Sequence, residues 1–396
     1  MRHPVARLRD KDLAPSRLRP PTWKIFNFKF HKYRGSVRNV RFSAPNMTGN
    51  VKIYVPASSA NLGPGYDVLG LALSLWLTVQ VANADTASCS KLNCVISCEG
   101  SGSSKISCDP EKNMITRTAL NVLGCHGVKE FPRPVHVSID NQIPLGRGLG
   151  SSGAAIVAGV MLANVVADLN LSKDRMMDFC LVEENHPDNI GSSLYGGFLG
   201  SFLEKIDVKG EANGSVESAV SSPSMPKIRS VYVHFHWSKA IKVVAVIPDY
   251  EVKTELARQV LPVSYGKEDA VFNSGRVAML THLLGSEEPD AVKIHKAMQD
   301  RFHQPYRTGL VHGLERLLEL TPDSVPGLLG LCLSGAGPTI LALAVHSFDQ
   351  ISEHIIRIIK DSTPQRIECI SRLLEPALDG AHSERLESAE ATDDLR

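Results

Sequence analysis

Two blocks of mixed helix and strand are what this 396-residue sequence predicts, on three observations. The chain is 43% hydrophobic, which at this length supplies a substantial core and suits two domains better than one. Stretches that alternate like strands are interleaved with stretches of helical periodicity. Between the blocks lies a run at 207–230, rich in Ser, Gly, Glu and Pro and without periodicity, which reads as an inserted loop.

Taken in order, residues 1–50 stand apart in charge. They hold twelve Lys/Arg against Asp10 and Asp12 alone, leaving 31 basic and 40 acidic side chains to the remainder. That composition predicts a basic, disordered extension, with organellar targeting as the alternative. The first domain is expected over 51–206. Residues 51–55 alternate like a strand and run into "PASSANLGPGYDVLGLAL", read as a loop because it is dense in Pro, Gly, Ser and Asn. Strands are expected at 75–81 and 135–139, and helices at 113–123 and 154–169. The second domain, 231–380, opens with a buried strand at 241–248. Helical patterns follow from Thr254, Phe272, Val292 and Val311, and "LLGLCLSGAGPTILALA" reads as strand, tight glycine turn and strand. The charged residues 381–396 read as a frayed tail.

Several function classes drop out. The acidic body shows no basic stripe for nucleic acid. The apolar stretch 154–166 is interrupted by Gly159 and Asn164 and is shorter than the roughly 20 residues of a membrane span. Eight scattered cysteines suit a reducing, cytoplasmic setting better than a disulfide framework. Cys94 and Cys98 have no second Cys/His pair at zinc-site spacing.

The segment "IPLGRGLGSSGAAIVAGV" contains Gly148-x-Gly150-x-x-Gly153. A dinucleotide fingerprint requires an acidic residue ending a strand ~20 positions on. That position falls near Asp174 in "LSKDRMMDF", which reads as helix. A Walker loop requires Gly-Lys-Ser/Thr, whereas Gly153 is followed by two alanines, and the strand and catalytic motifs of protein kinases are absent. Two readings remain open. Glycines can turn backbone amides toward a phosphate at a helix start, with Ser151 and Ser152 adding hydroxyls for phosphate or Mg²⁺. Alternatively, Gly148 and Gly150 merely permit a tight turn and Ser151 caps the helix.

Three segments together resemble the GHMP small-molecule kinases: "PASSANLGPGYDVLG", "PLGRGLGSSGAA" and "LSGAGPT", in that order. Two more, "EENHPDN" and "DRFHQPYR", resemble the branch acting on homoserine. The similarity covers about residues 51–380. It implies a two-domain α+β fold, with a ribosomal protein S5 domain 2-like N-terminal domain and a ferredoxin-like C-terminal domain. It further implies ATP and Mg²⁺ as cofactors, L-homoserine as the small-molecule substrate, a place in threonine biosynthesis and a homodimer, with no nucleic-acid or membrane partner. Rival readings are a mevalonate- or sugar-type kinase of the same family, and a non-catalytic binding protein on this scaffold.

Residue roles follow from the resemblance and from the chemistry of a zwitterion with a terminal hydroxyl. Asp67 matches the ammonium-binding carboxylate, and Arg258 and Arg307 the carboxylate clamps, where a planar fork gives paired hydrogen bonds. Asn61, His186 and Asn189 map to the hydroxyl end. Asparagine cannot take a proton at neutral pH, so whether any side chain acts as base stays open, with His186 as the candidate. Ser152 and Glu184, beside Glu183, are expected at the metal. Asn113 matches the adenine-reading position. Pro144, Leu145, Gly146, Arg147, Gly148, Leu149, Gly150, Ser151, Ser152 and Gly153 form the expected phosphate loop, and Gly335, Ala336 and Gly337 a turn packed on the first motif. Tyr66 stands where most relatives have Phe.

Overall fold

The computed structural model describes residues 50–205 and 228–386. Nearly all of the expected extension and insertion therefore lies outside the described residues. Strands and helices follow in the order β1 (Asn50–Ala60), β2 (Leu69–Asn83), β3 (Cys94–Gly100), α1 (Met114–Cys125), β4 (Val135–Asn141), α2 (Ser151–Val166), α3 (Lys173–Glu183), α4 (Pro187–Tyr195) and β5 (Phe198–Lys205). From residue 228 onward come β6 (Ile228–Phe235), β7 (Lys242–Pro248), α5 (Thr254–Gln259), α6 (Lys267–Leu283), α7 (Ala291–Ala297), α8 (Gln304–Arg307), α9 (Leu314–Leu318), β8 (Leu328–Leu333), β9 (Ile340–Ala344), α10 (Phe348–Asp361), β10 (Cys369–Leu374) and β11 (His382–Leu386).

One sheet runs β11-β1-β2-β4-β3, with β5 pairing β2 and β6 pairing β5. Ile53, Val55 and Ala57 of β1 alternate into the core, as a half-buried strand requires. The strand does not stop at Pro56. Its pairing with β2 shifts register between Pro56 and Ala57 and continues to Ala60. A bulge is where a strand tolerates a residue without an amide hydrogen, so the predicted loop begins only at Asn61. Strands β3 and β4 are parallel neighbours joined through α1. On this sheet lies α2, which is buried along most of its length because Ala, Val, Leu and Met occupy every face.

The second sheet has the order β10-β7-β9-β8, antiparallel at each pairing. With helices between β7 and β8 and between β9 and β10, this is the βαββαβ pattern of a ferredoxin-like unit. Helix α10 seals one face through Ile351, Ile355, Ile358 and Ile359, spaced at helical intervals. Residues 381–386 correct the frayed-tail expectation, because His382 to Leu386 pair in register with Tyr54 to Asn50. The strand is solvent-exposed and carries polar side chains, so it has no apolar alternation to announce it. Likewise, β6 joins the first sheet through β5, correcting a boundary at 231. Among the described residues no helix is long and apolar enough to cross a membrane.

Candidate active site

The glycine loop starts where β4 ends. Asn141 fixes that exit: its side-chain amide donates to the carbonyls of Ser101 and Ile143, and its Oδ1 accepts from the Ile143 amide. Gly148 and Gly150 have φ of +81° and +68°, and an added Cβ would overlap the Ser334 carbonyl at one and the Ser58 hydroxyl at the other. Both positions therefore demand glycine twice over. Gly150 is the N-cap of α2 and provides no side-chain cap. Ser151 is already inside the helix, so the capping alternative fails. The first-turn amides of α2 are left uncapped beside a cavity, the arrangement that favours an anion.

That cavity, of about 220 Å³, is bordered by the helix start, the β1–β2 loop, the α3–α4 junction, α5, α8 and the β8–β9 turn. At one end, Asp67 and Arg258 form a two-pronged ion pair, with Nη2 to Oδ1 at 2.8 Å and Nη1 to Oδ2 at 3.1 Å. Arg258 Nη1 also donates to the Tyr66 hydroxyl at 2.8 Å. Arg307, 2% exposed, lines the same end. Its Nε donates to the Ala257 carbonyl, and its Nη1 to the Gly335 carbonyl and to His303 Nδ1. Arg307 is thus a structural tie as well as a lining cation, with Nη2 lacking a protein partner among the described residues.

Glu184, His186, Asp188 and Asn189 border the cavity between Asp67 and the helix start. His186 Nδ1 donates to Glu184 Oε1 at 2.7 Å. Burial opposes a charge on this imidazole, but the Glu184 bond and the Asp67 carboxylate hold its pKa above the ordinary value. Asn189 Oδ1 accepts from Ser58, which in turn accepts from Ser193, so the amide orientation is set by two buried serines. Of the adjacent glutamates, Glu183 is bonded to Asn121 and pairs with Arg117. Glu184 faces the cavity with Ser152. Among the described residues no three His, Cys, Asp or Glu side chains converge on a metal position. Two oxygen donors at a phosphate site suit Mg²⁺, which keeps waters and phosphate oxygens as its remaining ligands.

Other expected site residues take different roles. Asn61 borders the cavity, but its Nδ2 donates to the Gly335 carbonyl and its Oδ1 accepts the Asp67 amide. It ties the first motif to the third and shapes the Asp67 turn. Asn113 caps α1, accepting from Ile115 and Thr116 while donating to Ser107. Its Oδ1 and one Nδ2 hydrogen serve that cap, and the residue also borders the neighbouring cavity. Leu149 is fully buried in the core. Arg147 turns away to Asp249 and Glu251. Neither it nor Pro144 borders this cavity or its neighbour. Leu145, Ser151 and Ser152 border that neighbour, of about 310 Å³, whose walls include Ile106, Met114, Ile115 and Ile139. Gly335 to Gly337 pack on the first motif: the Gly335 amide donates to Ala60, and the Ser334 hydroxyl bonds Ser59 and the Gly148 carbonyl.

Sequence reasoning passed over Asp188. It is 4% exposed, and its Oδ1 accepts the Asn189 amide at 2.7 Å. Burial, and then the Asp67 charge, push its pKa up to about 6. Also missed were His303 and Asp300. Asp300 accepts the amides of Phe302, His303 and Gln304 and an Asn273 Nδ2 hydrogen. His303 Nε2 then donates to Gly63, leaving Nδ1 to receive Arg307. The signal was the "DRFHQPYR" run, which puts a capping acid three residues before the histidine and seven before the arginine.

Comparison with known proteins bears on this site. Residues 113–197 match the family described as GHMP kinases N terminal domain. The homoserine kinase of Saccharomyces cerevisiae is 48% identical over 355 residues, covering 84% of this chain and 98% of the relative. That of Candida albicans is 45% identical, covering 83% and 97%. Among solved structures, homoserine kinase from Cytophaga hutchinsonii aligns with a TM-score of 0.65 at 26% identity, covering 85% of this chain and 98% of that one.

Proposed function

Since the chain belongs to the homoserine kinases within the GHMP kinases, we propose that it transfers the γ-phosphoryl group of ATP to the side-chain hydroxyl of L-homoserine. The observation that carries this reading is one cavity with a carboxylate–guanidinium pair at one end and an uncapped helix start at the other. The pair matches a zwitterion. The helix start matches phosphate.

On this reading the substrate exchanges partners with the internal ion pair. Its ammonium goes to Asp67, with Asp188 beside it, and its carboxylate to Arg258 and Arg307. The hydroxyl then points toward Asn189 and His186. The amides of Ser151, Ser152 and Gly153 receive the phosphates, and the apolar neighbouring cavity receives the nucleoside.

Asn189 cannot accept a proton, and the Glu184 bond raises the pKa of His186 against the effect of burial. In its charged form that imidazole would stabilise developing negative charge. Catalysis accordingly rests on alignment and on electrostatic stabilisation of a loose transition state, with the hydroxyl proton passing to a phosphate oxygen. Ser152 and Glu184 would hold Mg²⁺, which supplies charge neutralisation on the β- and γ-phosphates when bound.

A coupled ADP-release assay with homoserine, mevalonate, galactose and threonine tests the reading. Turnover with homoserine well above the others is expected. Equal turnover of mevalonate, which lacks the ammonium, would refute it.

A further inference from the structure

The Tyr66 hydroxyl has an unfinished hydrogen-bond account. Its oxygen accepts from Arg258 Nη1 at 2.8 Å, but among the described residues no acceptor is found for its own hydrogen. Burial, and then the charge of Asp67, raise its pKa, so that hydrogen stays in place at neutral pH. The side chain borders the cavity together with Asp67, Arg258 and Arg307. Its ring is fixed by stacking on His303, with centroids 5.4 Å apart. The guanidinium carbons of Arg258 and Arg307 each lie 5.6 Å from the ring centre. The phenol therefore lies beside both cations that the substrate carboxylate is to meet, and it alone of the three is a neutral donor.

We propose that Tyr66 is a third ligand of the substrate carboxylate, donating its O–H to the anion held by Arg258 and Arg307; this rests on the homoserine reading of the cavity. When the ammonium draws Asp67 away, Arg258 keeps its bond to the Tyr66 oxygen, so the guanidinium remains anchored while it changes anions. The same hydroxyl thus holds the clamp and contacts the clamped group. A phenylalanine at this position keeps the ring stack and loses both bonds, which makes the tyrosine a feature of this chain's carboxylate end and not of the ring's packing role.

Tyr66→Phe tests the assignment, with thermal melting to verify the fold. KM for homoserine should rise on the order of tenfold, the equivalent of one hydrogen bond to a charged group, while kcat and KM for ATP stay within about twofold of the starting values. Two fragments separate the substrate's ends as inhibitors of homoserine turnover. The Ki of 4-hydroxybutanoate, which carries the carboxylate, should rise in step with KM, and the Ki of 3-aminopropan-1-ol, which carries only the amine, should not. An unchanged homoserine KM, or an equal weakening of both fragments, would overturn the role of Tyr66 while leaving the homoserine reading intact. Absence of homoserine turnover in the unmodified protein would overturn both.

Discussion

Asp188→Asn should make this protein more stable at neutral pH and worse at holding homoserine. The carboxylate is buried, and burial with the nearby Asp67 charge pushes its pKa from 3.8 to about 6. A folded pKa above the unfolded one means that the folded state prefers the protonated form. The group is therefore neutral and harmless below pH ~4, and its penalty grows as pH rises through about 6. About two pH units at 1.36 kcal/mol each put the penalty on the order of 3 kcal/mol above pH 7. Asparagine keeps an oxygen to accept the Asn189 amide and removes the charge.

For a chain of this size that amounts to a melting-temperature rise of roughly 3–6 °C at pH 7.5, shrinking to about a third of that at pH 4.5. Calorimetric melts of both proteins across that range would measure it. The pH dependence is the diagnostic part, because a packing effect would shift both ends of the range alike. A variant less stable at pH 7.5, or a difference independent of pH, would refute the argument. The same charge explains why the residue is an acid at all: an ammonium beside it offsets the penalty, so homoserine should bind more weakly at pH 5 than at pH 7.5, and the variant should lose that dependence.

Arg307→Lys keeps the charge and removes the fork. KM for homoserine should rise by the equivalent of about 1.5–3 kcal/mol, with KM for ATP unchanged and with a lower melting temperature because the bonds to Ala257 and Gly335 go too; an unaltered homoserine KM would leave Arg307 a purely structural tie. Glu184→Gln should raise the Mg²⁺ concentration for half-maximal rate by roughly tenfold or more, and a Mg²⁺ titration superimposable on that of the starting protein would remove Glu184 from the metal.

Elements with a strong local signal were legible in the sequence: the alternating strand at 51–55, the glycine loop opening α2, and the strand–turn–strand around Gly335. What escaped did so for physical reasons. Ser58 and Ser59 carry turn-forming side chains yet lie fully buried in β1, because Asn189 and Ser334 satisfy their hydroxyls across the fold. Those partners are 131 and 275 residues away, and no local pattern encodes them. At Asn113 propensity is obeyed: an asparagine before a helical run is a cap, and it caps α1 while also bordering the second cavity. Asp188 was invisible because a lone acid is ordinarily solvated. The packing of α4 against β1, β2 and α2 withdraws it from water.

The paired state of Asp67 and Arg258 bears on selectivity. Each side chain is about one-third exposed, so their mutual attraction is of the partly screened kind worth at most about 1 kcal/mol. Separating them is cheap if both receive new partners. A zwitterion does this in one step, turning one ion pair into two. A ligand bearing only a carboxylate would take Arg258 and leave Asp67 facing Asp188 without its guanidinium partner. A ligand bearing only an amine would leave Arg258 and Arg307 together without an anion. Removing one partner from a partly buried pair costs more than the pair itself contributes, so discrimination comes from what the wrong ligand leaves behind as much as from what the right one gains. On the proposed reading, a hydroxy acid of the right length should bind measurably but more weakly than homoserine without any steric barrier, and that discrimination should weaken in parallel for acids and for amines when Asp67 and Arg258 are neutralised together.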